Sequence, residues 1–212
     1  VTGTGRGVLP PPTGSIGAQL RAGLRFVREA PGIRLVFLLT LTSGLLGRTA
    51  IELLPAISGQ LLAGGASTLA TLTASAGAGS IAGGLIVSRQ SGRQRRLFQL
   101  VLIGLTCTAL LLFTAAAWQL TATAAVAVSL ISLCTTMVGA GCQAMVQLSV
   151  DELFRGRVMS LWTVIAMGAP AIGALLIGSA ADGVGFPVAF LATALPALLV
   201  VLWARPRVRA WR

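Results

Sequence analysis

The sequence predicts an all-α membrane protein with six transmembrane helices, and three observations lead there. Hydrophobic residues make up 55% of the 212-residue chain and charged residues 10%, whereas an ordinary soluble domain is about one quarter charged. Six apolar runs are each long enough to cross the ~30 Å hydrocarbon core of a bilayer at ~1.5 Å per helical residue. The arginines fall between those runs in an alternating pattern that an even number of crossings explains.

Composition also excludes several functions. All 16 basic residues are arginine, and Lys, His, Tyr and Asn are absent. The isoelectric point near 11.9 would suggest nucleic acid in a soluble domain, but here the charge sits in short patches between apolar runs and reads as topology. Without histidine there is neither a Ser/His intramembrane protease nor a His-ligated metal. Asp151 and Asp182 are expected in loops, which argues against a two-aspartate protease. Cys107, Cys134 and Cys142 are odd in number, lie in apolar runs and lack metal-ligand spacing, so they read as packing residues. A phosphate loop needs a lysine, and the chain has none. The expectation is therefore no enzyme, no cofactor, no metal and no nucleic-acid partner.

Residues 1–15, rich in Gly and Pro, read as a flexible linker, and with neither an initiator methionine nor a signal peptide opening it the chain reads as a fragment or processed piece beginning in a loop. In residues 16–34, Ile16, Leu20, Leu24 and Val27 recur at helical spacing against Arg21, Arg25 and Arg28. That pattern predicts a basic amphipathic helix on the membrane surface, ended by Pro31-Gly32.

The first span, 35–58, is LVFLLTLTSGLLGRTAIELLPAIS and carries two charges. A mid-helix arginine costs about 3 kcal/mol on the insertion scale, and a glutamate is taken as similar, while each Leu, Ile, Val or Phe returns about 0.3 to 0.6. Twelve such residues offset the pair only marginally, so the helix needs neighbours or a water-filled cavity around Arg48 and Glu52. Thr40, Gly44, Arg48 and Glu52 recur every four residues as one small and polar stripe, with Leu38, Leu45 and Leu53 directed elsewhere. Arg48 and Glu52 are thus candidates for substrate binding or proton coupling, or for a fixed ion pair that braces the helix. Pro55 removes a backbone hydrogen bond just beyond them and predicts a kink.

The second span, 68–87, places Ser75, Gly79 and Gly83 at small-xxx-small spacing, which predicts a close helix neighbour. Spans follow at 97–118, 121–146, 158–180 and 186–203, and 205–212 forms a basic tail. Gln143 and Gln147, four apart on the fourth span, are candidate hydrogen-bonding partners for a polar ligand or for another helix. Gly168, Pro170 and Gly173 predict a bend or gate in the fifth, and Trp118 and Trp203 are expected at the interfaces. Glycines concentrate in spans one, two, four and five, so these are expected to pack, move and line a cavity, with three and six as lipid-facing supports. With six crossings, fifteen arginines share one side, none lies on the other, and the sixteenth is Arg48; this predicts that both chain ends are cytoplasmic.

Glu52–Ala56 (ELLPA), Gly23–Arg34 (GLRFVREAPGIR), Val150–Trp162 (VDELFRGRVMSLW) and Gly178–Gly185 (GSAADGVG) resemble the major facilitator superfamily. The resemblance is to the carboxyl-terminal six-helix half, in the enterobactin-exporter-like efflux branch. It implies one half of an alternating-access secondary transporter in a bacterial cytoplasmic membrane, exporting an amphipathic small molecule such as a siderophore or drug by proton coupling. An amino-terminal six-helix half, or a second copy, is then the expected partner. The superfamily's loop signature is matched imperfectly by Gly84, Arg89, Gly92 and Arg93, with Ser88 where an acid would stand. Asp151, Glu152, Arg155 and Arg157 are expected to form conformation-dependent ion pairs between helix ends. The alternative is a non-transporting interaction or regulatory remnant of a truncated transporter gene.

Overall fold

The computed structural model describes residues 25, 27–90 and 92–210, without the side chains of 116, 153 and 208–210. The linker 1–15 and most of the amphipathic segment 16–34 lie outside the described residues. Of that segment, Arg25 and residues 27–29 are helical, and Arg25 pairs with Glu29 at 2.8 Å, one turn away. The hydrogen bond and charge of Glu29 raise the pKa of this exposed guanidinium.

Every regular element among the described residues is helical. The first membrane helix, α1 (Pro31–Glu52), begins where proline suits the first helical position. It contains a π segment at Gly44–Arg48. The helix breaks at Leu53 (φ −87°, ψ 6°), resumes for Leu54–Ala56, and ends in a second π segment, Ile57–Leu61. The break therefore falls two residues before Pro55, which occupies the first turn of the short segment that follows. Next come α2 (Ala66–Ser88), α3 (Gln94–Phe113), α4 (Thr121–Ser149), α5 (Glu152–Val184) and α6 (Phe186–Ala204). All six are long and apolar enough to cross a bilayer.

Helix α5 starts six residues before the apolar run at Val158, because its first turns carry Glu152, Arg155 and Arg157 outside the hydrocarbon. Helix α3 stops at Phe113, short of Trp118, where the chain tightens into a 3-10 turn at Ala115–Ala117. That turn overturns the interface role expected for Trp118. The ring is only 2% exposed, donates its indole N–H to Thr114 Oγ1 at 3.1 Å, and lies 6.2 Å from Phe190. A buried tryptophan needs a partner for that N–H, and Thr114 supplies it.

The helices form two interlocked triplets. The second helix of the first triplet, α2, docks on α4, and the second helix of the other triplet, α5, docks on α1. Helix α3 lies between α4 and α6. Consequently α1 and α4 are central, with 67% and 56% of their spanning windows buried, against 28% for α2 and α5. Glycine content therefore sorted the helices only in part: α3 is half buried, and α2 and α5 are the most open.

Ile81, Leu85, Ile103, Leu110, Leu175 and Leu199 are among the large apolar side chains left exposed. Such an apolar surface suits lipid and not water. Gln94 Nε2 donates to Ser149 Oγ at 3.3 Å, joining the start of α3 to the end of α4. A cavity at the start of α1 is lined by Ser149, Trp203 and Arg207, so the end of α6 lies there too. One face of the bundle thus gathers the helix ends that bear Arg34, Arg93, Arg95, Arg96, Arg205 and Arg207.

Candidate functional site

The site is built on the π segment of α1. At Thr49 the backbone N–H bonds to Gly44 O, five residues back, and the hydroxyl reaches the same carbonyl at 2.8 Å. An i to i−5 turn holds one more residue than an α turn and so shifts the phase of everything after it. The four-residue stripe expected on one face is therefore divided. Thr40 and Gly44 are buried against neighbouring helices, whereas Arg48 and Glu52 emerge on an open face.

Arg48 Nε lies 3.9 Å from Glu52 Oε1, and the two side chains are 55% and 53% exposed. The bundle therefore does not bury this pair. An exposed i, i+4 ion pair contributes at most about 0.5 kcal/mol, so stability does not account for two charges in a spanning helix. Along the axis, Arg48 is about 26 Å from Pro31, deep relative to the arginine-bearing face.

Behind the pair, α1 and α5 meet along a seam of small groups. A β-carbon added at Gly44 would come 2.6 Å from Ala169 Cβ, and one at Gly173 would overlap the Thr49 hydroxyl. The Thr49 hydroxyl also lies 3.3 Å from Pro170 O. Pro170 is buried inside a continuous α5, and Gly168 has no atom near its missing β-carbon. Nearer the arginine-bearing face, Trp162 Nε1 donates to Thr40 Oγ1 at 3.1 Å.

The opposite seam joins α2 and α4. Gly79 and Gly83 lie so close to α4 that added β-carbons would overlap the carbonyl oxygens of Ser129 and Leu133. Ser80 and Ser132 hydroxyls are 2.7 Å apart, and Thr136 Oγ1 donates to Ser80 Oγ at 3.2 Å. Hydroxyl contacts of this kind join helices where no water is present to compete.

The other candidate residues are dispersed. Gln143 is half-buried and Gln147 exposed, near the end of α4. Gln143 is about 9 Å from that end, well separated from Arg48 along the membrane normal. Gly84 has open space around it, and Arg89 and Arg93 are exposed on the α2–α3 turn, where Gly92 adopts φ +83°. In this conformation no ion pair joins Asp151, Glu152, Arg155 and Arg157 among the described residues. Asp151 O accepts from the N–H groups of Phe154 and Arg155, Arg155 donates to Val150 O at 3.4 Å, and Arg157 lies over the Phe154 ring at 5.9 Å. Among the described residues the ion pairs are Arg25–Glu29 and Arg48–Glu52, and no group of His, Cys, Asp or Glu could hold a metal.

Sequence reasoning passed over Thr49, Trp162 and the Ser80–Ser132–Thr136 cluster as site-forming residues. Their signal is a hydroxyl or indole group recurring within otherwise apolar runs.

Compared with known proteins, residues 9–211 match the family model described as transmembrane secretion effector, of the major facilitator type. No curated protein and no solved structure matches. Six apolar crossings and a match over almost the entire sequence agree: this chain belongs to the transmembrane secretion effector family, a group of multi-pass membrane transporters and not of enzymes.

Proposed function

We propose that this chain is one half of an alternating-access exporter whose water-lined path passes Arg48 and Glu52. The observation that carries the reading is the exposure of that pair. Two charges directed into hydrocarbon would cost several kcal/mol, so the face bearing them meets water or protein. A second six-helix unit supplies both, either an amino-terminal half or a second copy, by closing a cavity against this face. Glu52 is then the proton carrier: its protonation breaks the 3.9 Å pair and frees Arg48 for an anionic group on the cargo. The cargo is an amphipathic small molecule of the siderophore or drug kind.

Gln143 and Gln147 stand nearer the arginine-bearing mouth and contact the cargo on entry. The α1–α5 seam at Pro170 and Gly173, with Gly168 and Pro55 near its ends, is the hinge, and Gly79 and Gly83 hold α2 to α4 as it moves. Gly84, Arg89, Gly92 and Arg93 on one loop, with Asp151, Glu152, Arg155 and Arg157 on the next, exchange contacts between the two end states. The arginine-rich face lies in the cytoplasm of a bacterium, the plasma membrane holding the spans.

The test is proton-driven uptake of amphipathic fluorescent dyes into everted membrane vesicles containing this chain with an amino-terminal six-helix half. Uptake should collapse with a protonophore and fall at least tenfold in Glu52→Gln. Undiminished proton-driven uptake in Glu52→Gln would remove the carboxylate from the mechanism.

A further inference from the structure

A cavity of about 900 Å³ opens at the arginine-bearing end between the start of α1 and the end of α6. Arg34 and Arg207 both line it, and none of its described lining residues is acidic. The Arg207 guanidinium stacks 3.5 Å from the centre of the Trp203 ring and donates to Trp203 O, which fixes its position. Gly32 and Ile33, in the first turn of α1, also line the cavity. Ala30, at the N-cap, brings no side-chain acceptor, and that turn carries no acid. A helix N-terminus of this kind favours an anion.

The cavity continues along the bundle. Leu38, part of its wall, also borders a second cavity of about 340 Å³ between α1, α5 and α6. The second is almost wholly apolar and runs past Leu41, Leu45, Leu176, Pro196 and Val200. Leu41, Leu176 and Pro196 are exposed, so the groove opens sideways on the bundle. From Leu38 to Leu45 it spans about 10 Å of helix axis.

We propose that these two cavities form one site for a phospholipid with an anionic headgroup. The phosphate sits between Arg34, Arg207 and the first turn of α1, and one acyl chain lies in the groove beyond Leu38. Charge complementarity selects the headgroup, and the apolar channel that begins at the same place selects a lipid over a soluble phosphate. The site depends on the bundle being in a membrane and not on any transport mechanism.

The test is lipid retention by the purified protein in detergent, measured by native mass spectrometry with phosphatidylglycerol or phosphatidylcholine added. The wild type should hold phosphatidylglycerol about tenfold better. Combining Arg34→Gln with Arg207→Gln should bring that ratio to within twofold of unity. Ala192→Phe, at an exposed position lining the apolar groove, should lower retention about fivefold with both arginines intact. Changing Arg95 and Arg96 to Gln on the same face should leave the ratio as it is. The proposal is overturned if the Arg34/Arg207 variant keeps the preference, if Ala192→Phe retains lipid normally, or if the Arg95/Arg96 variant loses the preference equally. Displacement of phosphatidylglycerol by equimolar glycerol phosphate would also overturn it, by showing that the headgroup alone binds.

Discussion

Trp162 of α5 donates its indole N–H to the hydroxyl of Thr40 on α1 at 3.1 Å, and that hydroxyl donates onward to Val36 O at 3.0 Å. The first bond crosses the α1–α5 seam, and the second ties its acceptor back to the preceding turn of α1. Trp162→Phe and Thr40→Val should each destabilise the protein, and together by less than their sum. The coupling expected from a double-mutant cycle in detergent unfolding is about 0.6 kcal/mol. Strict additivity would mean that the bond contributes nothing.

The α2–α4 seam makes a sharper contrast between two glycines five residues apart. Gly79→Ala drives a methyl into the Ser129 carbonyl, where backbone must move, and should cost about 1 to 3 kcal/mol. Gly84→Ala meets open space and gains helix propensity, so it should be neutral or stabilising by up to about 1 kcal/mol. Thermal unfolding of the two variants side by side checks the pair.

On the other seam the corresponding experiment reads transport. Gly173→Ala overlaps Thr49 and should restrict relative motion of α1 and α5, reducing dye uptake about tenfold in the vesicle assay. Gly77→Ala on α2, with free space at its β-carbon, should stay within twofold of the wild type. Equal effects from both would show that the close contact does not limit the motion.

Topology is checked by labelling from one side. Gly65→Cys lies at an open position on the loop joining α1 to α2 and Gly183→Cys at an open position in the last turn of α5, while Arg89→Cys is exposed on the α2–α3 turn. A membrane-impermeant maleimide added outside intact cells should modify the first two and spare the third. Labelling of Arg89→Cys from outside would reverse the orientation.

Most of the fold was legible because bilayer thickness and arginine placement constrain it independently of packing. The six apolar runs could be read from the sequence alone. The phase of α1 past Gly44 could not, since a π turn changes the bonding register without altering the spacing of apolar residues. Reading Thr40, Gly44, Arg48 and Glu52 as one stripe assumed an unbroken α-helix. Trp118 was misplaced for a related reason: the 3-10 turn after Phe113 folds its ring inward, and Thr114, the acceptor that permits burial, is unremarkable in the sequence. Arg48 and Glu52 were visible as costly residues in an apolar span. The hydroxyl contacts behind them depend on which helices become neighbours, and periodicity within one helix carries no information about that.

The interlocked docking of α2 on α4 and α5 on α1 has a bearing on biogenesis. As the polypeptide emerges from the ribosome, α1 and α2 enter the bilayer before the helices that will clasp them have been made. Their docked state therefore requires α4 and α5 to be present, so α1 and α2, Arg48 and Glu52 included, wait in lipid until those helices follow, and it is over that interval that the insertion machinery has most to do.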